Sequence, residues 1–247
     1  MTTLAVDTSS SRPSVAICQK GITLGTLIGN VNQHSEELIG LIDACLKEAS
    51  VGIADVDQFA ICQGPGSFTG LRIGMATLKG LAFANQKPLV SVSSLEIIAT
   101  EMVSEKPNHD AIYCSVLDAR REEVFVAFYK IENDAMVRLG DEHVIKPELL
   151  KKLVSQTLES AKRPASPIYM AGSGIEKYPN LKEIGDTCFE NIVNPNPITL
   201  AQIASTLNPA ENWQLLGPTY IRKSEAEIKF PDGNPGGTFR PGQTSSA

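Results

Sequence analysis

The chain is poor in the residues that usually build a metal or nucleophilic centre. Its 247 residues include three histidines, His34, His109 and His143. They lie far apart, with no H-x-x-x-H or H-E-x-x-H spacing, so a metal site built on paired histidines is not supported. There is no G-x-S-x-G elbow for a serine hydrolase. The five cysteines, Cys18, Cys45, Cys62, Cys114 and Cys188, are odd in number, scattered and never spaced C-x-x-C. They read as small buried hydrophobes in a reducing compartment, not as bridges or zinc ligands. No apolar run nears the ~20 residues that span a bilayer, and residues 1–7 carry neither a basic nor an apolar signal-peptide region. Positive charge is also scarce: 22 Lys and Arg against 28 Asp and Glu leave −6. That weighs against a stand-alone nucleic-acid binder, though not against a chain that handles RNA through a partner. A soluble cytoplasmic protein is expected, with no membrane contact.

What is present is ample for a core. With 42% hydrophobic residues, the chain is neither disordered nor a disulfide-stapled miniprotein. Residues 4–7, 14–19 and 22–28 read as three hairpin-connected strands, and a helix follows over 34–49, with Leu38, Leu41, Ile42, Cys45 and Leu46 at helical spacing. A buried strand over 57–62 leads into a glycine-rich run and a helix over about 70–84. Strand 88–92 and helix 95–103 complete a first lobe of residues 1–105. Turn and charged residues at 104–110 mark the boundary to a second lobe, 106–225. There, strands 111–117 and 123–131 precede a helix opening at Pro147, a short strand 168–171 and a last helix over 199–206. Residues 226–247 are assigned as a disordered tail, rich in Gly and Pro from 231 onward.

The run 64–74, Gly-Pro-Gly-Ser-Phe-Thr-Gly-Leu-Arg-Ile-Gly, is the most informative. It lies between a strand and a helix, where backbone N–H groups and the helix dipole favour an anion. Ser67 is placed to cap that helix, and Gly64 and Gly66 permit close approach. The spacing matches neither a dinucleotide fingerprint nor a P-loop. The following helix is small and apolar, with Gly70/Gly74 and Ala76/Gly80/Ala84 at i, i+4. Each helix-interior glycine costs about 1 kcal/mol against alanine, so close packing must compensate. Packing or a subunit interface, and phosphate binding, both remain open for this stretch. Asp7, with Thr8, ends the first strand either facing a nucleotide-bound metal or forming a turn. Gly172 and Gly174 end strand 168–171 and complete a candidate nucleotide or phosphate set of Asp7, Thr8, Gly64, Gly66, Ser67, Gly172 and Gly174. The charged stretch 118–123 is a solvated hairpin turn or a ligand or partner contact.

Four motifs occur in order: residues 4–9 (Leu-Ala-Val-Asp-Thr-Ser), 34–38 (His-Ser-Glu-Glu-Leu), 64–74 and 218–224 (Pro-Thr-Tyr-Ile-Arg-Lys-Ser). With them the chain resembles the TsaB (YeaZ) family of tRNA threonylcarbamoyladenosine biosynthesis, over residues 1 to about 225. The resemblance implies an α/β, actin-like (ASKHA) fold of two RNase-H-like lobes with mixed five-stranded sheets flanked by helices. It implies a non-catalytic paralogue of TsaD, the subunit that transfers threonylcarbamoyl to adenosine 37 of tRNAs reading codons that begin with A. TsaD-like proteins hold a metal with an H-x-x-x-H pair, and the matching positions here are Ser94 and Ile98, of which an isoleucine cannot ligate a metal. No tightly bound cofactor is therefore expected on this chain, with ATP and metal on partner subunits. The expected partners are a TsaD-like transferase, a TsaE-like ATPase, a second copy of the chain when alone, and tRNA through the complex. The resemblance also places the partner interface on the two helices of the first lobe, with Leu38, Leu41, Ile42, Cys45, Gly70, Leu71, Gly74, Leu78 and Leu81 as contacts. The alternatives are a nucleotide-binding regulatory protein and a glycoprotease-type metallopeptidase.

Overall fold

The computed structural model describes residues 1–31 and 34–222, with the side chains of 34–36 left aside. The expected tail over 226–247 lies outside the described residues. The first three strands, β1 (Thr2–Asp7), β2 (Ser14–Gln19) and β3 (Ile22–Ile28), form an antiparallel meander. Helix α1 (His34–Glu48) leads to β4 (Gln58–Cys62), α2 (Phe68–Ala84) and β5 (Leu89–Val92). Strands β4 and β5 join in parallel, giving the order β3-β2-β1-β4-β5.

After α3 (Ser94–Glu105) the pattern repeats. Strands β6 (Ile112–Arg120), β7 (Glu123–Glu132) and β8 (Ala135–Arg138) are antiparallel. Then β9 (His143–Ile145), α4 (Leu150–Ser160), β10 (Ile168–Ala171), α5 (Ser173–Lys177), β11 (Thr187–Phe189) and α6 (Pro197–Thr206) follow. The second sheet runs β11-β10-β6-β7-β8, with β10 and β11 parallel to β6. This is the first sheet's order again, the doubled RNase-H-like topology of the actin-like fold. One detail corrects the five-stranded expectation: β9 adds a sixth strand, paired with β7.

The central strands of both sheets, β1, β2, β4, β6, β7 and β10, are covered on both faces, so they are almost continuously buried rather than alternating, while the edge strand β3 is largely exposed. In the first sheet, Leu4, Val6, Ile17 and Ile61 face α1 and α2, while Ala5, Ala60 and Val92 face α6. In the second, Ile112, Val116 and Met170 face α4 and α5, while Tyr113, Ala127 and Tyr169 face α3. The packing interleaves across the division expected at residue 105. Helix α3 gives Leu95, Ile98, Ala99 and Met102 to the second sheet, and α6 gives Leu200, Ala201 and Ala204 to the first. Each lobe thus completes its core with a helix from the other half of the sequence. Four cysteines are buried and all five are free. No helix among the described residues is long and apolar enough to cross a membrane.

Candidate functional site: the glycine joint, the helical face and the interlobe cleft

The glycine run is a joint between α2 and the end of β1. A Cβ at residue 70 would stand 2.1 Å from the Thr8 carbonyl oxygen, and one at residue 66 would stand 2.4 Å from that of Ser9. At residue 74 it would meet Thr8 Oγ1 at 2.2 Å. The Ser67 N–H donates to the Ser9 carbonyl at 2.7 Å, and Ser67 caps α2 by accepting from Gly70 N. Gly64 has φ +101°, the left-handed region that favours glycine. The second lobe has the same device. Gly172, at φ +117°, and Gly174 press on Val116 in the middle of β6.

These contacts decide the candidate phosphate set. Asp7 and Thr8 are buried, as are Gly64, Gly172 and Gly174, and only Gly66 and Ser67 of the seven line an open cleft. The Asp7 carboxylate folds back on its own turn: Oδ1 accepts from Ser9 N at 2.9 Å and Ser9 Oγ at 2.6 Å, and Oδ2 from Ser10 Oγ at 3.2 Å. Of the two readings of Asp7, the turn is the one the geometry shows. Burial, partly offset by these hydrogen bonds, pushes its pKa above the ordinary 3.8.

The expected interface residues need a similar correction. Leu38, Ile42, Cys45, Leu71 and Leu78 are buried in the chain's own core. Gly70 and Gly74 are pressed onto Thr8, and Leu41 and Leu81 are partly buried against the same core. The physical reason is the amphipathic rule itself: the apolar stripe of a helix on a sheet faces that sheet. What faces solvent is a second stripe. On α1 it comprises Ile39 (59% exposed), Gly40 and Ala44; on α2 it comprises Ala76, Gly80 and Phe83 (74% exposed). Nothing lies within 4 Å of a Cβ built on Gly40 or Gly80. The exposed Ile39, one residue out of phase with the core stripe, was the signal in the sequence.

The positions matching the H-x-x-x-H pair are both interior. Ser94 Oγ donates to the Pro65 carbonyl at 2.7 Å and touches Cys62 Sγ at 3.1 Å, while Ile98 packs in the second core. Among the described residues no group of three or more His, Cys, Asp or Glu is placed to hold a metal. Burial, with the neighbouring Asp7, drives the Cys62 thiol far above its ordinary range, which favours the protonated thiol.

Between the lobes lies a cleft of about 770 Å³. One wall is Ser9, Ser10, Ser11 and the start of α2. The other is the end of β6 with its turn, α5 and residues 193–195. A strap formed by 213–222 crosses from lobe to lobe along α2. Trp213 and Leu216 pack on the first core, and Lys79 Nζ donates to the Gln214 carbonyl. Tyr220 stacks on Phe68 with ring centroids 4.8 Å apart and accepts from Arg72 Nε. Ile221 packs on the second core, and Arg222 pairs with Glu123 at 3.0 Å on the cleft's edge.

Two actin-like lobes with this joint and this cleft define the class. Residues 30–230 match the family model described as TsaD: tRNA N6-adenosine threonylcarbamoyltransferase, and the chain belongs to that family. The Bacillus subtilis (strain 168) tRNA threonylcarbamoyladenosine biosynthesis protein TsaB is 27% identical over 93% of this chain and 98% of its own length. Its Escherichia coli (strain K12) namesake is 29% identical over 75% of this chain and 77% of its own. The solved structure of YeaZ from Pseudomonas aeruginosa matches with a TM-score of 0.66 and 30% identity, over 83% of this chain and 92% of that one. Within the wider family, the chain is of the TsaB (YeaZ) kind.

Proposed function

We propose that the chain serves tRNA threonylcarbamoyladenosine synthesis as an accessory subunit without chemistry of its own. It binds and positions a TsaD-like transferase, alongside a TsaE-like ATPase, for modification of adenosine 37 in tRNAs reading codons that begin with A. The observation that carries this reading is the outward stripe of α1 and α2, where Ile39 and Phe83 stand in water beside Gly40, Ala44, Ala76 and Gly80. Small residues let a partner helix approach closely, and the flanking large apolar groups supply buried area. The same face serves a second copy of the chain when the transferase is absent. ATP and metal belong, on this proposal, to the partner subunits, and tRNA is reached through the complex. The metallopeptidase alternative gains nothing from Ser94 and Ile98, whose side chains are occupied inside the protein.

The test is Ile39→Glu with Phe83→Glu. Both residues are exposed, so the variant is expected to keep its fold by circular dichroism and its melting temperature within a few degrees. It is also expected to lose co-elution with the TsaD-like protein by at least ~100-fold in Kd, since two central anchors are worth ~2 kcal/mol or more each. Undiminished co-elution would reject this face as the interface.

A further inference from the structure

Beside the helical face stands a third exposed apolar element, the strap. Residues 213–215 form a single 3-10 turn with fixed ends: Trp213 and Leu216 pack on the first core, and Lys79 Nζ donates to the Gln214 carbonyl at 2.8 Å. Leu215 stands between these anchors with 83% of its surface in water. Further along, the Thr219 N–H donates to the Gln63 carbonyl at 2.8 Å, and Tyr220 stays 42% exposed while stacked on Phe68. Lys79 and Phe83 are one turn apart on α2 and so share a flank, which sets Leu215 beside the outward stripe of Ala76, Gly80 and Phe83. Helix α1 packs on β2 and β3, whereas the 213–215 turn lies by β5, at the opposite edge of the sheet. The outward stripe of α2 is therefore the floor of a shallow channel, with α1 as one wall and the strap as the other.

The two walls differ in charge. Helix α1 carries Glu36, Glu37, Asp43 and Glu48 against Lys47 alone, whereas no Asp or Glu occurs in residues 64–95 or 212–222. In a chain of formal charge −6, the strap side thus presents Arg72, lying over the Phe68 ring at 3.8 Å, and Lys79.

We infer that the strap is part of the docking surface for the TsaD-like partner, which meets it with an amphipathic helix. The apolar stripe of that helix covers Leu215 and Tyr220, and its edge carries carboxylates opposite Arg72 and Lys79. This rests on the reading of α1 and α2 as the docking face and extends it across α2. A helix laid in a groove is a recurring mode of recognition, read by apolar anchors one turn apart. Holding Leu215 between fixed anchors cuts the ordering cost of association, and unlike charges across the channel select the partner that carries them.

The experiment is titration of the full chain with the TsaD-like protein at low and high salt, each variant first checked for fold by circular dichroism and melting temperature. Leu215→Ala is expected to weaken binding by ~10-fold through lost apolar burial. Leu215→Glu should weaken it further, by ~100-fold, because a new carboxylate faces those of the partner. Leu215→Lys should lose less than Leu215→Glu. Lys79→Gln keeps a donor for the Gln214 carbonyl and should flatten the fall of affinity with added salt. The inference is overturned if Leu215→Glu stays within about twofold of the wild type, or if Leu215→Lys costs as much as Leu215→Glu. A salt dependence unchanged in Lys79→Gln also overturns it. So does a Leu215→Glu chain that loses only its association with a second copy, which would make that copy the occupant. Ile39→Glu with Phe83→Glu separates the two readings. No effect there rejects the helical face itself, whereas a loss there with none at Leu215 rejects the strap alone.

Discussion

The two lobes share one strand order and one joint, yet they differ in what they show to water. In each, glycines after the fourth strand of the repeat press on the first: Gly66, Gly70 and Gly74 on Thr8 and Ser9 just past the end of β1, and Gly172 and Gly174 on Val116 in the middle of the longer β6. Beyond the joint the lobes diverge. The first continues into the 17-residue α2, whose outer side carries Ala76, Gly80 and Phe83, and the second into the five-residue α5. The outward side of α4 is polar, with Lys151, Lys152, Ser155 and Glu159, where α1 shows Ile39 and Ala44. A shared fold therefore fixes the joint, while the surface beyond it is free to specialise. Among the described residues, α1 and α2 of the first lobe expose an apolar helical face where α4 of the second exposes a polar one.

The sharpest way to break this comparison is to enlarge a joint glycine. In Gly74→Leu the new Cβ would begin 2.2 Å from Thr8 Oγ1 and 3.2 Å from Ile61 Cδ1, with the rest of the side chain still to place. Overpacking of this kind costs about 1–3 kcal/mol and sometimes more. The isolated chain itself is expected to lose at least that much in a denaturant titration, before any partner is added. Gly174→Ala, facing Val116 Cγ1 at 2.7 Å, should destabilise the second lobe by a smaller amount. A Gly74→Leu chain of unchanged stability that merely fails to bind would return the joint to the role of an interface.

Why the sequence led toward that interface is instructive. The main strands and helices and their succession along the first lobe were legible because hydrophobic runs and turn residues act locally. The edge strands β8, β9 and β11 were not, being three or four residues long with no periodicity to read. The small residues of α2 were visible as close-packing positions, but which neighbour they pack against is a tertiary fact. Gly70 and Gly74 meet Thr8 from 60-odd residues earlier, while Gly80, on the same helix, meets nothing. Similarly, Arg120, Lys177 and Arg222 are distant in sequence and share a cleft only because the lobes face each other. The turn at Asp7 was one of two readings, and only the hydrogen bonds to Ser9 and Ser10 separate them.

A gentler probe of the joint is pH. Burial raises the Asp7 pKa above 3.8, so the folded state holds that proton more tightly than the unfolded state. The stability this gives is complete below about 3.8 and is lost as pH rises through the folded value. At neutral pH the unfolded Asp7 is ionised and on folding must either bury that charge or take up a proton, a cost that Asp7→Asn removes while keeping an oxygen acceptor for Ser9. The variant is expected to melt higher at pH 7, by about 2–4 °C per kcal/mol relieved, and the gap should close on acidification toward pH 3. A gap independent of pH would mean that the hydrogen bonds, not the desolvated charge, dominate at this turn.

On the open face the sign of a glycine change reverses. Gly80 sits in the interior of α2 with nothing within 4 Å of its missing Cβ. Gly80→Ala should therefore stabilise the isolated chain by about 0.5–1 kcal/mol through helix propensity alone. If α1 and α2 form the docking face, the same methyl stands between two helices, and affinity for the TsaD-like partner should fall while stability rises. Stability and binding moving in opposite directions at residue 80, and together at residue 74, is the signature that separates surface from joint.

The smallest effect concerns how the lobes are tied together. Arg222 and Glu123, about 28% and 32% exposed, pair at 3.0 Å where the strap reaches the second lobe. Partly exposed pairs of this kind are worth ~0.2–1 kcal/mol after screening. A double-mutant cycle on Arg222→Ala and Glu123→Ala should return a coupling in that range, shrinking as salt is added. The apolar anchors should matter more. Trp213 and Leu216 on one core and Ile221 on the other bury surface at about 25 cal/mol per Å², which salt does not screen. If the ion pair instead proved worth more than Trp213→Ala, the strap would be held chiefly by charge, and the equivalence of the two cores as its anchoring points would have to be given up.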